Sequence, residues 1–117
     1  MKTVIIENNW LGSIERGWGN GYVLIPKGNL LHGKHYDDID VDVHGGLTFP
    51  ELVDEKMIEQ WDCEHGLTKE DIGCWMVGFD TAHYRDNISR WPQEEVQKEA
   101  DNLKDQLEKL SSTHFID

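Results

Sequence analysis

Four side chains of this chain have types and spacing that suit chemistry: His44, Asp80, Thr81 and His83. They fall in two short stretches, VHGGLTF at 43–49 and VGFDTAH at 77–83. Each stretch runs out of an apolar, strand-like segment into small and polar residues. In sheet-based folds, polar side chains just beyond a strand end commonly face a ligand crevice. Asp80 and His83 form an Asp-x-x-His set. With His44 they offer either an acid–base pair or a two-His, one-carboxylate metal site. Asp80 and Thr81 equally suit a turn closed on its own backbone. Gly45 and Gly46 permit positive φ and close approach of a ligand, and such a turn can aim N–H groups at an anion. The plain alternative is an ordinary turn with a capping histidine.

The remaining candidates are weaker. Five Trp residues stand at 10, 18, 61, 75 and 91. Trp75 belongs in the core by its apolar neighbours, while Trp10, Trp18 and Trp91 fall near loops, where an indole stacks well on a ligand. Arg85 and Arg90 lie in the polar run 80–91 and suit a phosphate. Asp38, Asp40 and Asp42 carry oxygen ligands for Ca²⁺ or Mg²⁺. On one face of a strand, though, they would sit about 7 Å apart at a rise of about 3.3 Å per residue, so a solvated face is expected. Cys63 and Cys74 lack partners at zinc spacing even with His65 between them, so free thiols and no zinc are expected. No other cofactor is indicated.

Composition narrows the function classes. The 117 residues suffice for one domain with a modest core. A net charge of −12, with 11 basic against 23 acidic residues, argues against binding a nucleic-acid polymer, whose phosphates need many cations. It leaves room for a small anion held locally. No apolar run is long enough for a bilayer, and TVIIE lacks the order of a signal peptide, so a cytoplasmic protein without membrane contact is expected.

The elements that must position these residues follow from periodicity. Residues 3–7 read as a β-branched strand. Residues 17–26 read as a turn into a strand, with Asn20-Gly21 a strong hairpin signal. Residues 36–44 alternate, with Ile39, Val41 and Val43 on one face and Asp38, Asp40, Asp42 and His44 on the other, which predicts a half-buried strand. Residues 50–61 read as a short helix or an irregular excursion. Thr68 and Asp71 mark a one-turn helix start. CWMVGF at 74–79 reads as a buried strand and 80–91 as a polar loop. Pro92 opens a helix to residue 112, with Val96, Ala100, Leu103, Leu107 and Leu110 in one stripe. The stripe predicts a helix packed on the sheet. Its heptad spacing also suits pairing with a second copy, so a homodimer or higher oligomer is expected. The fold class is therefore α+β: a mainly antiparallel sheet over 1–91 and a C-terminal amphipathic helix over 92–112, in one domain.

GYVLIPKGNLLHGKHYDDI, then VHGGLTF, then WMVGFDTAH with Asp86 shortly after, resembles a family of small, uncharacterised proteins encoded by phages and prophages. The resemblance covers about residues 17–91. It singles out Tyr22, Pro26, Lys34, Tyr36, His44, Gly45, Gly46, Thr48, Trp75, Asp80, His83 and Asp86. Where the family tends to carry His-Pro, this chain has Asn29-Leu30, so that histidine's role is absent or falls to His32. The resemblance brings no activity but implies phage origin. Phages use compact proteins as sponges for nucleotide immune signals. The expected function is therefore sequestration of a small anionic, nucleotide-like host molecule by His44, Gly45, Gly46, Thr48, Asp80, Thr81, His83, Arg85 and Arg90. The rivals are a small hydrolase built on His44, Asp80 and His83, and an acidic inhibitor of a host protein.

Overall fold

The computed structural model describes residues 1–7, 16–61, 66–83 and 86–112. Trp10, Cys63, His65 and Arg85 lie outside the described residues. Four strands form one antiparallel sheet: β1 (Lys2–Glu7), β2 (Gly19–Ile25), β3 (Thr48–Leu52) and β4 (Trp75–Phe79), in the order β1-β2-β4-β3. A short helix α1 (Glu55–Trp61) follows β3, and a long helix α2 (Gln93–Ser112) ends the described chain. The fold is α+β, as the patterning predicts. Among the described residues, no helix is long and apolar enough to cross a membrane.

The sheet is buried on both faces. Strand side chains alternate, so β2 and β4 send Val23, Ile25, Val77 and Phe79 to one side, where Val96, Ala100, Leu103 and Leu107 of α2 meet them. Leu31, Ile39 and Val43 close that layer. Tyr22, Leu24 and Met76 face the other way and pack with Val4, Val53, Met57 and Leu67. The α2 stripe is thus covered by the protein's own sheet. The observation that motivated pairing through it no longer points to a second copy.

Three expectations need correction. Asn20-Gly21 makes no hairpin turn: both residues lie inside β2, opposite Ile6 and Ile5 of β1, and Gly21 also pairs with Phe79. The reason is tertiary. A Cβ on Gly21 would stand 2.5 Å from the Phe79 ring, so glycine serves here to admit the ring rather than to turn the chain. Residues 36–44 are not a strand either. Tyr36–Asp38 is a 3₁₀ turn, and residues 39–44 join no ladder, with Val41 N–H donating to Ile39 C=O at 3.2 Å. The alternation nevertheless holds as burial, with Ile39 and Val43 inside and Asp38, Asp40 and Asp42 outside. Side chains of α2 replace the missing neighbour strand. Gln106 accepts from Asp42 N–H at 2.7 Å and donates to Asp42 C=O at 2.8 Å, and Glu99 accepts from His44 N–H at 2.9 Å. Trp75 is half-buried rather than central, because its Nε1 reaches out to donate to Lys34 C=O at 2.8 Å.

The 3₁₀ turn Lys69–Asp71 carries the expected capping interaction. The Asp71 carboxylate accepts from Thr68 N–H at 2.9 Å and from Lys2 Nζ at 2.8 Å. Burial pushes the Asp71 carboxyl upward, but the Lys2 hydrogen bond and the Thr68 N–H outweigh it and hold it below the usual range. A depressed carboxyl stabilises the fold above the unfolded value, near pH 4, and that stability fades as pH falls through the lower folded value. Asp71→Ala is therefore expected to cost about 1–2 kcal/mol at pH 7. Urea unfolding of parent and variant should converge below about pH 4. A difference that persists undiminished in acid would assign the loss to packing instead.

Candidate functional site

The turn between residue 43 and β3 builds one half of the site. Gly46 N–H donates to Val43 C=O at 2.9 Å, closing a four-residue turn, and Gly45 sits at its third position with φ +70°. A positive φ there favours glycine. The closing bond uses the Gly46 N–H, so the third N–H of the His-Gly-Gly turn is not aimed at an anion. Gly45 has a further reason to be glycine: a Cβ would overlap His83 Nε2. The two stretches singled out by sequence therefore touch directly.

The loop after β4 builds the other half. Thr81 is fully buried, and its hydroxyl donates to Gly19 C=O at 2.6 Å. Gly17 N–H donates to Thr81 C=O at 2.8 Å, and Trp18 N–H to Trp91 C=O at 2.7 Å. Thr81 thus seals the loop onto the start of β2 and offers nothing to a ligand. Thr48 likewise spends its hydroxyl on the C=O of Gly78, its own strand partner, at 3.3 Å. Arg90 is exposed, at the end of a turn whose Asn87 side chain accepts its N–H at 2.9 Å.

Asp86 is the hub. Only the family resemblance picks it out, because its spacing from Asp80 and His83 carries no motif. Its side chain is 5% exposed. Both carboxylate oxygens accept from His44 Nε2, at 2.9 and 3.0 Å, and Oδ2 also accepts from His83 N–H at 2.9 Å. A carboxylate only accepts, so the His44 proton sits on Nε2. Nδ1 has no hydrogen-bond partner among the described residues. The His44 ring lies 4.2 Å from the Trp91 ring, and the His83 ring stands edge-on to it at 5.5 Å. Two imidazoles are thus fixed side by side above Gly45, with an indole beneath one of them.

Asp80 completes the group from the end of β4. It accepts from Ala82 N–H at 3.1 Å, closing the loop on its own backbone. His83 Nε2 lies 3.1 Å from Asp80 Oδ1, within ion-pair reach, but the angle is not that of a hydrogen bond. That nitrogen is buried and has no hydrogen-bond partner among the described residues. The Asp80 charge is also felt on the opposite sheet face. There burial raises the Tyr22 phenol above its ordinary value, the Asn20 hydrogen bond opposes the rise, and the Asp80 charge adds to it.

Among the described residues, no three His, Cys, Asp or Glu side chains are grouped to hold a metal ion. Burial and the nearby Asp71 charge push the Cys74 thiol up, against the pull of Lys2 and Lys27, which makes it a poor nucleophile. A cleft of about 290 Å³ opens elsewhere, between α1 and the 69–72 segment. Searches for related proteins returned nothing: no family model, no curated protein and no solved structure matches this chain.

Proposed function

We propose that the protein is a phage-type binding protein that sequesters a small anionic, nucleotide-like host molecule at the His44–His83 rim. One observation supports this reading above the rest: a buried carboxylate holds the His44 ring and the His83 main-chain N–H, so two imidazoles stand side by side with ring nitrogens that have no hydrogen-bond partner among the described residues. The apolar layers on both sheet faces do not need them. Burying Asp86 and leaving His83 Nε2 without a hydrogen bond both cost stability. Polar groups fixed ahead of binding are what preorganised recognition requires. Trp91 adds an aromatic wall, and Arg90 an exposed cation on the same loop. Assembly into a homo-oligomer, the other part of this reading, would use a surface other than the α2 stripe.

The Asp86–His44 pair favours one rival, a hydrolase that activates water. Asp86 would orient the ring and Nδ1 would act as base. No Ser, Thr or Cys among the described residues is hydrogen-bonded to either imidazole, so a covalent route has no nucleophile in place.

His83→Ala, paired with His44→Ala, separates the two. A sponge should lose about 1–3 kcal/mol of binding, roughly ten- to a hundredfold in affinity, and release its ligand unchanged on denaturation. A hydrolase should keep its binding and lose turnover in His44→Ala, because a general base acts in the transition state. Calorimetry against a panel of mononucleotides, cyclic dinucleotides and nicotinamide dinucleotides, with chromatography of the recovered ligand, reads both. Ligand altered by the parent protein would refute sequestration. No binding to any member would leave inhibition of a host protein as the surviving reading.

A further inference from the structure

The cleft between α1 and the 69–72 segment has the make-up of a socket for a long cationic side chain. Ile58 and Ile72 form its apolar wall, Glu55 and Glu59 stand on the α1 side, and Lys69 stands opposite. Glu55 and Glu59 are one helical turn apart, so they project from the same side of α1. Neither carboxylate is within ion-pair distance of Lys69 or of any other described cation. Ile72 is 37% exposed, a large apolar side chain left open to water beside two acids without an ion-pair partner among the described residues. A volume of about 290 Å³ admits one long side chain, not a folded element. Arginine fits this combination: its methylene stem covers apolar surface while its guanidinium takes carboxylates.

We propose that this cleft docks an arginine side chain of a partner protein. The stem lies between Ile58 and Ile72, and the guanidinium reaches Glu55 and Glu59. Lys69 repels a second cation at the far rim and so limits the socket to one. The chain's net charge of −12 draws a basic partner from a distance, while the socket supplies the specific contact. The inference stands apart from the His44–His83 site.

The probe is a fluorescein-labelled peptide of alternating leucine and arginine, with citrulline and glutamate versions as controls, titrated with the full chain by anisotropy. Arginine should bind at least about tenfold more tightly than citrulline, which keeps the shape and loses the charge. The double variant Glu55→Lys, Glu59→Lys should lose about tenfold or more. Lys69→Glu should bind severalfold more tightly. Glu94→Lys with Asp101→Lys on α2 makes the same change in net charge far from the cleft and should alter affinity much less. Equal losses from the two double variants would reduce the binding to bulk charge and overturn the proposal. So would equal affinity for arginine and citrulline. All four substituted acids and Lys69 are exposed, or nearly so, and circular dichroism confirms that each variant folds.

Discussion

Replacing Leu103 by alanine is expected to remove about 2–5 kcal/mol of unfolding free energy, a large part of what a domain of this size possesses. Leu103 is fully buried at the middle of the α2 stripe, with Ala100 and Leu107 on either side and the sheet beneath. A cavity there cannot collapse without shifting α2 against the sheet and breaking the packing of Ala100 and Leu107. Leu110, half-buried at the end of the same stripe, provides the control, and its truncation should cost roughly 1 kcal/mol. Urea unfolding with an unchanged slope would read the difference as stability alone. The measurement also tests assembly. A stripe spent on the sheet gives a loss independent of protein concentration, whereas a stripe shared between copies gives one that shrinks on dilution. A loss below about 1 kcal/mol for Leu103 would mean that the helix does not seal this face.

The parts of the fold legible in the sequence are those governed by local pattern. β1 and β4 are β-branched or continuously apolar runs, and α2 carries an opening proline and an unbroken stripe, so nothing distant had to be known. β2 was legible as a strand but not in its start, because the neighbour that decides Gly21 is Phe79, nearly sixty residues away. The alternation over 36–44 reported burial correctly and the element wrongly. Period two describes any extended segment with one wet face, and only the partners show that α2 side chains replace a ladder. β3 and α1 are too short for periodicity to distinguish. In the site, the two stretches do converge, and the small residues in them mark the convergence, since Gly45 exists to admit His83. Thr81 illustrates the limit of that reasoning. A threonine beside a loop aspartate looks the same in sequence whether its hydroxyl faces a ligand or, as here, the Gly19 carbonyl. Asp86 was legible only by resemblance, because a hub is defined by three-dimensional partners and not by spacing.

Asp86 is also where the largest combined effect on fold and site is expected. Asp86→Ala removes the acceptor for His44 Nε2 and for His83 N–H together, and leaves both donors facing a cavity. Hydrogen bonds to a carboxylate are worth about 1.5–3 kcal/mol each but act here as one unit, so a cost of about 2–4 kcal/mol is expected. Asp86→Asn keeps the shape and one acceptor oxygen, and should cost less. Stability alone would not distinguish an anchor for the imidazoles from a loop staple. Nitrogen-15 spectra of the histidine rings do. In the parent protein the carboxylate holds the His44 proton on Nε2, and Asp86→Ala should release it to a mixture of tautomers. An unchanged His44 spectrum would show that Asp86 does not orient the ring. Ligand binding then adds the functional reading. If both imidazoles contact the sequestered molecule, Asp86→Ala should weaken binding, because it frees the His44 ring and removes the main-chain anchor of His83. A variant with mobile rings and undiminished affinity would move the ligand away from this rim altogether, whatever the cost to the fold.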